Sequence, residues 1–273
     1  MTVTEFQATT HGPRTLAVDV GGSGIKALVL DAAGQPLTER FREPTPQPAL
    51  PHAVLDVIAH LASRAGDFER VAVGFPGVVR RGITETAPNL GVAFHGFPFA
   101  VELTLKLGRP VRVANDADVQ GFGAIRGQGL EMVITLGTGM GSALFAEGIL
   151  VPNVELAHHP FSEGKTYEQW LGQHSLTQVG PVVWRQKLDV AIVLMRQTFN
   201  FDRLYLGGGN ARLLDEASLP KDVCIVQNIL GLLGGIALWT DLHGTHLSRA
   251  PHAEGAHCVR EFPIEPTPGS NGE

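Results

Sequence analysis

The sequence predicts an α/β protein built as two lobes around a shared cleft. Two observations carry that expectation. Glycine is abundant, with 33 in 273 residues, while aromatic residues make up only 7%, a balance suited to tight turns and small packing contacts. A strand–glycine-turn–strand unit also occurs twice, at residues 16–30 and again at 132–146. The two copies read as a weak internal duplication, each lobe offering one glycine hairpin to the cleft. On geometry alone, two ordinary hairpins would look the same.

Each element follows from local pattern. The apolar run 16–20, the turn Gly21-Gly22-Ser23-Gly24, the run 25–30 and a third strand at 37–41 form an antiparallel meander. A proline-rich stretch, 44–48, is an extended link. Val54, Leu55, Ile58, Leu61 and Ala62 recur at helical spacing. A short strand at 71–74, a helix near 100–107 and a strand at 111–114 follow, and a helix begins after Asn115-Asp116. Beyond the second glycine unit come a helix at 183–199, a strand at 204–206, Gly207-Gly208-Gly209-Asn210, a strand at 224–226 and a last helix at about 229–242. The expected division is a small lobe at 12–114 joined by that last helix, a larger lobe at 115–228 and a flexible, His- and Pro-rich tail at 243–273.

Composition narrows the function. With 44% hydrophobic and 18% charged residues the chain is not a disordered one. A net charge of −6 argues against generic nucleic-acid binding. Cys224 and Cys258 are too few for a disulfide framework or a cysteine-rich zinc site. No apolar leader core opens the chain, and its longest apolar stretch, 229–239, falls short of the ~20 residues that span a bilayer. The expectation is a cytoplasmic protein without membrane contact.

Glycine turns let backbone N–H groups approach an anion with no Cβ in the way. In the first turn a phosphate would fit the N–H groups of Gly22, Ser23 and Gly24, with Gly21 starting the turn and Lys26 following it. Asp19, on the strand before, could hold a hydrated Mg²⁺. The spacing is not that of a P-loop. Asp116, after a strand, is placed to take a proton from a hydroxyl, although Asn115-Asp116 also suits a helix N-cap. Glu155, His158 and Glu168 could hydrogen-bond a polyhydroxylated ligand; Glu155 and His158 alone make a poor metal pair.

Six segments in order carry a family resemblance: Asp19 to Lys26, Gly74-Phe75-Pro76-Gly77, Ala87-Pro88-Asn89-Leu90, Asn115-Asp116-Ala117-Asp118, Leu136 to Gly141 and Glu155-Leu156-Ala157-His158. Together they resemble the ROK family of sugar kinases and repressors, over about residues 15–240. The closer resemblance within it is to the bacterial polyphosphate glucokinases. It implies the two-lobed actin-like ATPase and sugar-kinase (ribonuclease H-like) fold with a central cleft. It implies phosphorylation of the 6-hydroxyl of glucose or a related hexose, with Mg²⁺, polyphosphate or ATP as donor, and a homodimer.

The resemblance also implies roles. Asp116 would be the general base. Gly77, Asn89, Asn115, Glu155, His158 and Glu168 would surround the sugar. Gly21 to Gly24 would grip the donor together with Gly137, Thr138, Gly139 and Gly141, and Gly207, Gly208 and Gly209 would lie near its outer end. The cysteine-rich zinc loop of many members is missing, so no structural zinc is expected, and Ala157 replaces a glycine of the usual motif. Lys165, Arg185 and Lys187 are the candidates for a polyphosphate track, which is otherwise thin in basic residues. A family repressor would need a DNA-binding module before Thr15, for which about fourteen residues are too few. A catalytically dead member would be expected to have lost Asp19 or Asp116.

Overall fold

The computed structural model describes residues 12–227 and 230–239. The chain begins with β1 (Thr15–Val20), β2 (Gly24–Leu30) and β3 (Phe41–Pro44), then α1 (Pro51–Ala65) and β4 (Arg70–Phe75). A small hairpin, β5 (Val79–Arg80) with β6 (Ile83–Thr84), precedes α2 (Phe99–Leu107) and β7 (Val111–Asn115). The strands form one sheet in the order β3-β2-β1-β4-β7, antiparallel through β1 and parallel beyond it. The third strand therefore starts at Phe41 and not at 37. Residues 37–40 are an approach to the sheet, with Leu37 N–H donating to Val29 O.

The second half repeats the plan. α3 (Asp116–Ala124) leads into β8 (Leu130–Leu136), β9 (Met140–Ala146) and β10 (Ile149–Val151). After the hairpin β11 (Pro160–Ser162) and β12 (Lys165–Thr166) come α4 (Tyr167–Leu171), α5 (Gln173–Phe199), β13 (Arg203–Gly207) and β14 (Val223–Ile225). Their sheet runs β10-β9-β8-β13-β14, with the same pattern of antiparallel and parallel pairs. The duplication read from two glycine hairpins is thus a duplication of whole five-stranded sheets.

The chain's periodicities explain the layers. The α1 positions Val54, Leu55, Ile58, Leu61 and Ala62 are all buried against the first sheet, each large side chain contributing about 1.5–3 kcal/mol. Phe75, Phe94 and Phe99 join that core, with ring centroids 5.3 Å apart between Phe75 and each of the others. α5 is longer than the expected helix at 183–199. Gly180, at φ 77°, breaks it before Pro181, so the apolar periodicity read from residue 183 onward belongs to its second half alone. There Trp184, Leu188, Ala191, Ile192 and Met195 pack on the second sheet.

The expected last helix is shorter than 229–242 within the described residues. α6 (Leu230–Leu233) gives way to a 3₁₀ segment, Gly234–Trp239. The reason is steric: a Cβ on Gly234 would lie 1.8 Å from Val119 O, so this stretch presses on α3 backbone to backbone. Leu232 and Ile236 pack with Ala17, Leu28 and Leu30 of the first sheet, and Trp239 lies under the guanidinium groups of Arg70 and Arg112. Cys224 is buried in β14, and Cys258 lies outside the described residues. The tail at 243–273 lies outside the described residues. No helix among those described is long and apolar enough to cross a membrane.

Candidate active site

One cavity of about 430 Å³ opens between the two sheets. Both glycine hairpins border it. In the first, Gly21 N–H bonds Gly24 O at 3.0 Å; in the second, Gly137 N–H bonds Gly139 O at 3.0 Å. Gly21, Gly22, Ser23 and Gly24 line one wall, and Gly137, Thr138, Gly139 and Gly141 the other. Across the β1–β2 ladder Asp19 stands opposite Lys26, whose Nζ is 2.7 Å from its carboxylate. Lys26 reaches the cavity already partnered.

The parallel ladder β4–β7 delivers Asn115 and Asp116 to the cavity wall. The N-cap role open to this pair falls to Asn115. Asn115 caps α3, its Oδ1 accepting from the N–H groups of Ala117 at 2.8 Å and Asp118 at 3.2 Å. Its Nδ2 donates to Gly77 O at 3.2 Å and lies 3.5 Å from Glu155 Oε1. Asp116 lines the cavity, its Oδ1 also accepting the Ala117 N–H at 2.8 Å. Its pKa is pushed up to about 7, first by burial and then by the negative charge of Asp19.

The remaining polar residues gather on one side. Asn89, Glu155, His158 and Glu168 all line the cavity. Glu155 and His158 are 3.6 Å apart, and Glu168 Oε2 accepts from Met140 N–H at 3.2 Å. Burial raises the Glu155 pKa, with His158 opposing it. Gly77 needs to be glycine, because a Cβ there would sit 2.1 Å from Thr86 O. Among the described residues no group of three or more His, Cys, Asp or Glu is arranged to hold a metal.

The loop carrying Glu155 is pinned at both flanks. Asn153, at φ 58°, receives the Val79 N–H on Oδ1 at 3.0 Å and donates Nδ2 to Val79 O at 3.1 Å. Its own N–H donates to buried Asp118 at 3.2 Å. Burial lifts Asp118 to a pKa of about 7. On the other flank the Ser142 hydroxyl donates to Val154 O and accepts the Leu156 N–H at 3.1 Å. Neither Asn153 nor Ser142 stands out in the sequence; the one signal for each is its closeness to the Glu155 segment or to the second hairpin.

The three glycines of 207–209 do three different things. Gly207 does not line the cavity; it is where the Gln120 amide packs, since a Cβ would lie 2.1 Å from Gln120 Nε2. Gly208, at φ 85°, lies against the Leu136 backbone. Gly209 and Asn210 line the cavity, with Asn210 Nδ2 donating to Gly137 O at 3.2 Å. The expected basic track is also relocated. Lys187 pairs with Glu163 and Arg185 with Asp189, while Lys165 lies over the Trp170 ring; none of the three lines the cavity. Its cationic lining is Lys26, Arg42 and Arg212.

The ROK family description matches residues 15–154. The chain belongs to the ROK family. It is 32% identical over 241 residues to a polyphosphate glucokinase of Mycobacterium tuberculosis, covering 82% of this chain and 89% of that one. The corresponding enzyme of Mycobacterium leprae is 31% identical over 242 residues, covering 83% and 74%. Among solved structures, the inorganic polyphosphate/ATP-glucomannokinase of Arthrobacter sp. strain KM superimposes with a TM-score of 0.75 at 32% identity, over 82% of this chain and 97% of that one. A ROK glucokinase of Streptomyces griseus, solved with glucose and AMPPNP, shares the fold with a TM-score of 0.67 at 20% identity, over 82% and 98%. The fold is the two-lobed actin-like ATPase fold of these kinases.

Proposed function

We propose that this ROK protein phosphorylates the 6-hydroxyl of glucose or a closely related hexose, with polyphosphate as donor and ATP as a second one. The observation that carries the reading is the position of Asp116. It lines the same cavity as a cluster of sugar-suited side chains and both glycine turns. Phosphoryl transfer asks for alignment and charge neutralisation more than for covalent help. The sugar oxygen forms a bond to the terminal phosphorus, the bond from that phosphorus to the donor's bridging oxygen breaks, and the hydroxyl proton passes to Asp116. A carboxylate with a pKa of about 7 suits that transfer near neutral pH.

Asn89, Asn115, Glu155, His158 and Glu168 supply donors and acceptors for the other hydroxyls, each of which costs about 1–3 kcal/mol if buried unpaired. The turns at 21–24 and 137–141 supply N–H groups to phosphate oxygens. Asp19 fits Mg²⁺ held through one carboxylate and the donor's phosphates, the usual mode for that ion, better than an all-protein cage. Bound there, the ion would neutralise phosphate charge. Relatives named for polyphosphate support the donor, as do the three cations of the lining.

The test is glucose phosphorylation with ATP and polyphosphate side by side. Turnover with polyphosphate should fall more steeply with added salt than turnover with ATP, because a longer polyanion releases more counterions. Turnover with ATP alone would remove the polyphosphate assignment, and no sugar phosphorylation with either donor would remove the reading.

A further inference from the structure

A single register line crosses four strands of the first sheet: Gly74 on β4, Asp19 on β1, Lys26 on β2 and Arg42 on β3. Residues directly opposite one another share a face, so the side chains form one row. Asp116 rests at one end of it, since a Cβ on Gly74 would lie 3.4 Å from the Asp116 Cα. Arg42 is at the other end, on the edge strand, three strand spacings or roughly 14 Å of backbone away. Within the row Asp19 and Lys26 neutralise each other at 2.7 Å. Arg42 has no carboxylate partner among the described residues, and the adjacent Glu43 falls on the opposite face, where Arg64 holds it at 2.8 Å. The net positive charge of the row therefore sits on Arg42.

That guanidinium is exposed and lines the cavity. It lies across the first glycine turn, where a Cβ on Gly24 would come within 2.8 Å of Nη2 and 2.9 Å of Nε. A planar guanidinium offers parallel N–H donors that match two phosphate oxygens, and it keeps its charge at any working pH. We infer that a linear polyphosphate lies along this row, its terminal group at Asp116 and a phosphoryl group beyond its third on Arg42, which makes Arg42 a residue that selects the donor. Every later unit of polyphosphate carries charge to such a cation. ATP carries three phosphates and then a nucleoside, which gives a guanidinium at the sheet edge no anion to bind. This inference rests on the kinase reading and adds to it the path of the donor. It also accounts for Gly24, which leaves room for the guanidinium over the turn.

The test compares Arg42→Gln, which removes the charge, with Arg42→Lys, which keeps the charge and loses the fork. Both positions are exposed and free of ion pairs, so both variants should melt within about 2 °C of the parent. Steady-state kinetics would give KM values for glucose, ATP and long-chain polyphosphate over a range of salt. Arg42→Gln should raise the polyphosphate KM about tenfold and the ATP and glucose values no more than about twofold. The slope of log KM against log salt should fall by about 0.7 for polyphosphate, the share of one phosphate contact, and Arg42→Lys should restore it. An unchanged polyphosphate KM overturns the inference, as does an equal rise for ATP and polyphosphate, or a rise for ATP or glucose alone. Should the wild type phosphorylate no sugar, the kinase reading fails by itself. Calorimetric titration with polyphosphate then decides the inference: binding that Arg42→Gln weakens about tenfold supports it, and no wild-type binding, or binding that the variant keeps, overturns it.

Discussion

The two glycine hairpins hold the same place in their sheets and bear different chemistry. Each joins the first two strands of a five-stranded sheet, and the sheets have identical strand order and sense. The second-last residue of the leading strand is Asp19 in one and Thr135 in the other. Opposite that residue on the following strand stands Lys26 in one and Gly141 in the other. The first hairpin thus carries a charged pair into the cavity. The second carries hydroxyls that serve the protein: Thr135 Oγ1 accepts the Gly141 N–H at 3.0 Å, and the next residue, Ser142, anchors the Glu155 loop. The repeated topology holds two glycine turns. Charge sits beside one, while the other supports the Glu155 loop and Glu168.

The largest effect should come from the carboxylate that neither hairpin owns. Asp116→Asn is expected to lower kcat by at least ~10²-fold while glucose still binds, which titration calorimetry would check. In the parent enzyme kcat should drop as pH falls below about 7, where Asp116 takes up its proton. The stability trend has the opposite sign. The folded pKa of Asp116 is raised from the ordinary 3.8 to about 7, so its contribution is full below about pH 4 and is lost as pH rises through 7. Asp116→Asn should therefore unfold about 2–6 °C higher than the parent at pH 8 and show no gain at pH 4.

Next in size is an exchange of chemistry between the hairpins. Asp19→Thr with Lys26→Gly gives the first the residue types that the second has at the paired positions. If charge is what separates them, donor KM should rise about 30-fold with glucose KM within about threefold, by steady-state kinetics. Equal loss for both substrates would mean that the hairpins are not specialised.

A smaller change distinguishes glycines within the second hairpin. A Cβ on Gly139 would lie 2.1 Å from Glu168 Oε2, whereas one on Gly137 meets nothing within 4 Å. Gly139→Ala should displace Glu168 and raise glucose KM about tenfold. Gly137→Ala should leave the melting temperature within about 2 °C and affect the donor alone. The mildest change is Asn153→Gly, which keeps the positive φ and removes the amide clamp on Val79. Glucose KM should rise about three- to fivefold, with melting lowered by about 2–5 °C.

Patterns of periodicity and turn chemistry are legible in the sequence. The meander, the spacing along α1 and both glycine turns can be read because each depends on residues a few positions apart. The residues expected around the sugar and at the glycine turns all line the cavity except Gly207, while Lys165, Arg185 and Lys187 do not. What cannot be read depends on contacts between distant segments. The Gln120 amide finds its room at Gly207, and Asn153 matters because Val79 lies against it, 74 positions away. Arg42 escapes a sequence reading because no local pattern shows that its guanidinium lies across Gly24. The end of the chain misleads because apolar spacing at 229–242 suits a helix, while Gly234 adapts it to α3.

That close fit is not confined to Gly234. At four contacts between α3 and its surroundings a glycine stands: Gly74 beside Asp116 and Val119, Gly121 against the Phe145 ring, Gly141 against Ala117, and Gly234 on the Val119 carbonyl. The helix is a shaft running in a tight bearing, with one sheet on either side. Asn115 and Asp116 sit at the head of that shaft. A rotation of the sheets about it would carry the hairpins through the widest arcs and leave the spacing of those two residues unchanged. Opening and closing could then admit substrates without taking the chemical machinery apart.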